Sequence, residues 1–207
     1  MQLPTMDRTK NEPTKPALSE ALKKLRESRW EEAAADFRRL LETEADNADL
    51  RLNLGVALFE AGRREDAITE YRRCLELEPN REEAHYNLGV AYQSTGKLEE
   101  AERAYLRAIE GGPATPEARC NLGNLYRDQE KLRDAIEQYQ AAIDLNHNFA
   151  PAHNNLAITF GQQGKLDLAR KHSDIALRLG FLVHPEVQGH LRRHADSTGP
   201  KRPTGLK

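Results

Sequence analysis

A unit of 34 residues returns along this 207-residue chain, and no other feature limits the possible folds as sharply. Leu88-Gly89 answers Leu54-Gly55 upstream and Leu122-Gly123 downstream. Ala101 answers Ala67 and Ala135, Tyr105 answers Tyr71 and Tyr139, and Ala108 answers Cys74 and Ala142. Small and apolar residues held in register over such a period dictate a stack of helix pairs. One pair cannot bury its own apolar face, and stacked neighbours cover it. Pro79 and Pro113 stop the second helix of their copies, since proline lacks the N–H and constrains the residue before it. His147 stands at that place in the following copy.

These units resemble tetratricopeptide repeats. With Ala48, Glu82 and Pro116 as first positions, the small residue at position 8 is Gly55, Gly89 and Gly123, and position 11 carries Leu58, Tyr92 and Tyr126. Position 20 is Ala67, Ala101 and Ala135. The resemblance implies an all-α fold, a right-handed superhelical solenoid of about five antiparallel helix pairs. In it, a small residue at position 8 lets paired helices approach while aromatics fill the space beside the contact.

The expected organisation is a disordered leader over 1–13, repeats over 14–47, 48–81, 82–115, 116–149 and 150–183, a capping helix over 184–194 and a disordered tail over 195–207. The first copy has Ser28-Arg29-Trp30 in place of the glycine turn, with Glu20 and Lys24 where large apolar residues are usual. The turn at Gln129-Glu130 also lacks its glycine, and Ser173 replaces the aromatic of the fifth copy. In the first and fifth copies such erosion suits terminal repeats with one face in water. Phe181-Leu182-Val183, followed by Pro185, suggests a short helix covering the last face.

Charge excludes some partners. A formal net charge of -2 with 31% charged residues argues against wholesale nucleic-acid binding, and no run of residues is apolar enough to insert into a membrane. With no apolar leader segment, the expected compartment is the cytoplasm. Cys74 falls on a second helix and Cys120 on a first helix in a different repeat, so both read as reduced thiols.

Catalytic motifs are absent from the sequence. It holds no phosphate loop, GxSxG or HExxH, so neither an enzyme nor a cofactor is expected. His190 and His194 lie four apart without a third ligand, flanking Arg192 and Arg193, and read as part of a solvated basic cap. Glu31-Glu32, Glu82-Glu83 and Glu99-Glu100 sit near helix starts, where the dipole favours negative charge.

Asn53, Asn87, Asn121 and Asn155 all occupy position 6. In the family this first helix lines the concave face, so the resemblance implies a ladder of carboxamides, similar to that in the superhelical domain of O-linked N-acetylglucosamine transferases. No catalytic domain of that kind is present. A carboxamide offers a donor and an acceptor, which suits the backbone of an extended peptide. Positions 5, 9 and 12 add Leu52, Val56, Phe59, Tyr86, Val90, Asn124, Arg127 and Asn154 to the expected peptide-binding set. Some of the apolar ones can instead pack between repeats. Acidic groups at positions 2 and 13, including Asp49, Glu83 and Asp128, are expected near the groove. Arg63, Lys97, Lys131 and Lys165 follow the inter-helix turns and read as a solvated edge. The expected function is a non-enzymatic adaptor that holds an extended segment of a partner protein, as a monomer or weak homo-oligomer. The alternative is a self-associating scaffold joined through its ends or convex face.

Overall fold

The computed structural model describes residues 16–111 and 115–182. The leader over 1–13, the cap over 184–194, the tail over 195–207, and Pro113, His190 and His194 lie outside these residues. The described residues form ten α-helices and no strand: α1 (Pro16–Arg26), α2 (Trp30–Leu41), α3 (Ala48–Glu60), α4 (Arg64–Leu77), α5 (Glu82–Ser94), α6 (Leu98–Glu110), α7 (Pro116–Asp128), α8 (Leu132–Leu145), α9 (Ala150–Gln162) and α10 (Leu166–Arg178). The chain divides into two compact units, Met1–Ala114 with α1 to α6 and Thr115–Lys207 with α7 to α10.

Within every pair the link is only a few residues long, so the second helix runs back along the first. Position 15 makes the turn. Gly62, Gly96 and Gly164 adopt φ of +82°, +76° and +72° there, and the two copies without glycine put Ser28 and Glu130 at φ 60°. The erosion of the turn sequence therefore did not change the turn. It cost the chain backbone strain of roughly 1 to 2 kcal/mol per site, because an L side chain crowds the carbonyl in this region. First helices start on caps in two copies: Asn47 Oδ1 accepts from the Leu50 amide, and Thr115 Oγ1 accepts from that of Ala118.

Position 8 serves a specific contact. A Cβ added to Gly55, Gly89 or Gly123 would lie 2.4, 2.7 or 2.6 Å from a ring carbon of Tyr71, Tyr105 or Tyr139 respectively. The aromatic at position 24 thus lies directly over the glycine, and all three rings are fully buried. Where position 24 carries Phe37 or Ser173, position 8 carries Ala21 or Ala157.

Between pairs, α2 packs on α3 and α4 on α5 in the first unit, and α8 on α9 in the second. First helices of successive pairs also touch, α3 with α5 and α7 with α9. Ion pairs reinforce the stacking of the first unit. Arg63 reaches Glu31 at 3.7 Å, Lys97 reaches Glu65 at 2.8 Å, and Arg81 reaches Asp49 at 2.5 Å. Lys131 lies over the Tyr126 ring at 5.5 Å and Lys165 over Phe160 at 5.9 Å. The cations that follow the turns are therefore not simply a solvated edge: they tie one repeat to the next or cover an aromatic ring.

Position 23 of the second helix bridges back to the first helix of its own pair. Asp36 takes Lys24 at 2.5 Å, which accounts for a lysine on a normally apolar face. Glu70 takes Arg51 at 3.0 Å, with Arg73 of its own helix also 2.9 Å from it, Gln138 accepts from Arg119 at 2.9 Å, and His172 meets His153 at 3.0 Å. The third copy has Ala104 there and no such bridge.

Candidate protein-binding face

Positions 5, 6, 9 and 12 lie on the first helices, and the two units differ in what those positions hold. On α3 and α5, Leu52 and Val56 are buried and belong to the core, so they support the face from beneath and do not form its surface. Tyr86 is likewise buried, its ring 6.2 Å from that of Tyr105. Phe59, Val90 and Gln93 stay half-exposed, and Gln93 Oε1 accepts from the Tyr105 hydroxyl at 2.9 Å.

The position-6 carboxamides expected to line the concave face are buried in this unit. Asn53 is 7% exposed and its Nδ2 donates to the Asp49 carbonyl at 2.8 Å, leaving Oδ1 without a partner. Asn87 is 0% exposed, and neither polar atom of its side chain has a hydrogen-bond partner. The nearby acids are also engaged: Asp49 is held by Arg81, and Glu83 lies 3.9 Å from the same guanidinium.

In the second unit the same positions form a polar network. Asn155 Nδ2 donates to Asn124 Oδ1 at 2.8 Å and to Cys120 Sγ at 3.2 Å, and the Tyr139 hydroxyl donates to Asn124 Oδ1 at 2.9 Å. Burial pushes the Tyr139 phenol well above its ordinary range and the Cys120 thiol up to about 11, so both keep their protons at neutral pH. With two bonds on its oxygen the Asn124 carboxamide is fixed in orientation, and its Nδ2 makes no hydrogen bond within the described residues. Asn154 Nδ2 stands 3.5 Å from Asn155 Oδ1, too far for a strong bond. Asn121, Asn124, Arg127 and Asn155 are half-buried, whereas Asn154 is buried. Arg127 lies 3.5 Å from Asp128, which leaves that acid paired too.

Sequence register explains the contrast between Asn87 and Asn155. Two repeats upstream of Asn155, Asn124, Cys120 and Tyr139 stand Asn87, Val56, Leu52 and Tyr71. Valine and leucine cannot bond the carboxamide, and the Tyr71 hydroxyl is left without a partner as well. Reading position 6 alone missed this, because the partner set sits at positions 5 and 9 of the preceding repeat and position 24 of its second helix.

Among the described residues no three histidine, cysteine or carboxylate side chains gather as a metal site, and no helix is long and apolar enough to cross a membrane. Cys74 and Cys120 are free and buried, and burial pushes the Cys74 thiol up to about 12.

Sequence models of the TPR repeat match residues 55–96 and 123–164, and models of the tetratricopeptide repeat match 24–73 and 84–117. No curated protein matches the sequence significantly. Many solved structures share the fold. A crystal structure of MamA is 26% identical, with a TM-score of 0.71 over 77% of this chain and 94% of that one. PilF of Pseudomonas aeruginosa is 22% identical, with a TM-score of 0.78 over 87% of this chain and 82% of that one. YrrB, described as a TPR protein with an unusual peptide-binding site, is 21% identical, with a TM-score of 0.66 over 80% of this chain and 85% of that one.

Proposed function

Because the chain belongs to the tetratricopeptide repeat family, whose members generally mediate protein–protein interactions, we propose that it is a non-enzymatic adaptor that holds an extended segment of a partner protein. The supporting observation is the amide pair on α7 and α9. Asn124 offers an oriented N–H donor with no internal partner, and beside it Asn155 offers a carbonyl oxygen that its own neighbours leave largely open. A donor and an acceptor held side by side match the C=O and N–H of one peptide unit, whatever side chain that unit carries. Arg127 adds a cation for an acidic side chain or carboxylate nearby, and Asn121 adds a further carboxamide on α7.

Phe59 and Val90 provide half-exposed apolar surface on the first unit for side chains of the partner. Asn53, Asn87, Leu52, Val56, Tyr86 and Asn154 take the supporting role in this reading, since each is buried. Peptides recovered by display selection on the full chain provide the test, with affinity measured by calorimetry. Asn121→Ala with Asn124→Ala should weaken binding at least about tenfold, because each lost partner in a partly desolvated contact costs roughly 1 to 3 kcal/mol. Unchanged affinity in that variant sinks the assignment.

One observation favours a second reading. Leu168, Leu177, Leu179 and Leu182 are exposed on or just after α10, the last described helix, and apolar side chains left in solvent suit self-association. Light scattering over a concentration series separates the two, since an adaptor stays monomeric and a scaffold grows with concentration.

A further inference from the structure

Among the described residues every bridge from position 23 joins the two helices of one pair, and only the last is built from two imidazoles. The bridge is an ion pair in the first two copies and an arginine–amide bond in the fourth. In the fifth it joins His153 on α9 to His172 on α10, with the two Nδ1 atoms 3.0 Å apart. Ring centroids lie 5.2 Å apart with an interplanar angle of 27°, so the imidazoles meet edge to edge with the nitrogens between them. That arrangement is an N–H···N hydrogen bond.

The tautomers follow from the second contact. His153 Nε2 lies 3.2 Å from the His147 carbonyl oxygen, which only accepts, so Nε2 carries the proton. His85 makes the same contact to the Pro79 carbonyl at 2.8 Å in the third repeat. Neutral His153 therefore presents a bare Nδ1, and His172 donates its Nδ1–H to it. One added proton can be accommodated: with both His153 nitrogens protonated, His172 switches tautomer and accepts. A second cannot, because two Nδ1–H groups would then face each other across 3.0 Å with two positive charges.

We propose that this pair is a proton-operated latch, closing α9 on α10 while at least one imidazole is neutral and releasing them when both are charged. The surroundings favour release. His172 faces His153 and the Phe160 ring, 5.7 Å away, from α9, and Lys171 acts on it from its own helix. Neither imidazole bonds a carboxylate among the described residues that would hold the charged form in place. Burial first, then His153 and Lys171, lower the His172 value from 6.5 to about 4. Since the folded value lies below the unfolded one, the stabilisation is complete above about pH 6.5 and is lost as pH falls toward 4. Opening the pair would also displace Asn155 on α9. That consequence rests on the proposed function, whereas the latch itself does not.

The chain supplies its own control, because His153→Arg with His172→Gln installs the bridge of the fourth repeat. Amide hydrogen exchange, corrected for intrinsic rate, should be compared at about pH 7.5 and about pH 4.5 in the full chain. One group titrating over such an interval changes an opening equilibrium tenfold per pH unit. Wild-type protection in α9 and α10 should thus fall at least about tenfold more than in α3 to α6, and the double variant should lose that excess. Equal pH dependence in both proteins overturns the latch. If the double variant does not fold, imidazole nitrogen spectra of the wild type decide. They should show the Nε2–H tautomer at His153 and the Nδ1–H tautomer at His172 near neutrality, with protection lost as His172 protonates. Other tautomers, or protection that survives His172 protonation, overturn it equally.

Discussion

Gly89→Ala adds one carbon at a place where Tyr105 already stands. The new Cβ would lie 2.7 Å from two ring carbons and 3.1 Å from a third, whereas carbon atoms settle about 3.5 to 4.0 Å apart. The ring has little freedom to move aside. It is fully buried, its hydroxyl is tied to Gln93, and Tyr86 lies against it. Overpacking of this kind costs about 1 to 3 kcal/mol, and alanine's better helix propensity offsets about 0.8 to 1.0 of that. The net loss should be about 1 kcal/mol, or roughly 4 to 8 °C in melting temperature for a unit of this size. Thermal melts followed by circular dichroism would read it. A second background makes the reasoning refutable. After Tyr105→Ser, which reproduces the pairing of Ala157 with Ser173 in the last repeat, the same alanine should stabilise, because the clash is gone and the propensity gain remains. An alanine effect of the same sign and size in both backgrounds would mean that the glycine does not serve the ring.

Two further substitutions test the strain and the orphaned polar groups. Glu130→Gly removes a side chain at φ 60° and should raise the melting temperature, with a gain of up to about 1 kcal/mol in urea titration; a loss would show that the glutamate side chain contributes more than its backbone strain costs. Asn87→Leu replaces a buried carboxamide without partners by an apolar group of similar size and should stabilise by about 1 kcal/mol while leaving partner affinity unchanged. A tenfold loss of affinity in that variant would show that ligands do reach Asn87.

The 34-residue period made the helix pairs and the packing of position 8 legible before any coordinates, because those features depend on residues that recur in register. Exceptions to the register were harder to read. Lys24 looked like a flaw of an exposed terminal repeat until Asp36 appeared opposite it, and nothing in a single helix announces a partner 12 residues away on another. The four asparagines looked equivalent because position 6 is shared. Their environments diverge through Val56 and Leu52 against Asn124 and Cys120, contacts made between repeats that a one-repeat pattern does not contain. The same limit hid the His153–His172 bridge, since histidine at positions 4 and 23 gains meaning only beside the ion pair and amide bond of the other copies.

The central claim is that the amides of α7 and α9 read a partner's backbone and not its side chains. Methylating the peptide nitrogens of a bound ligand one at a time removes single N–H donors while every side chain stays in place. Calorimetry on that series, beside an alanine scan of the same peptide, tests the claim most directly. The account predicts one or two methylations over the second unit that weaken binding at least about tenfold, each lost bond being worth roughly 1 to 3 kcal/mol, with alanine substitutions at the same residues nearly silent. A series in which no methylation matters while an alanine substitution over Asn124 and Asn155 abolishes binding would contradict it.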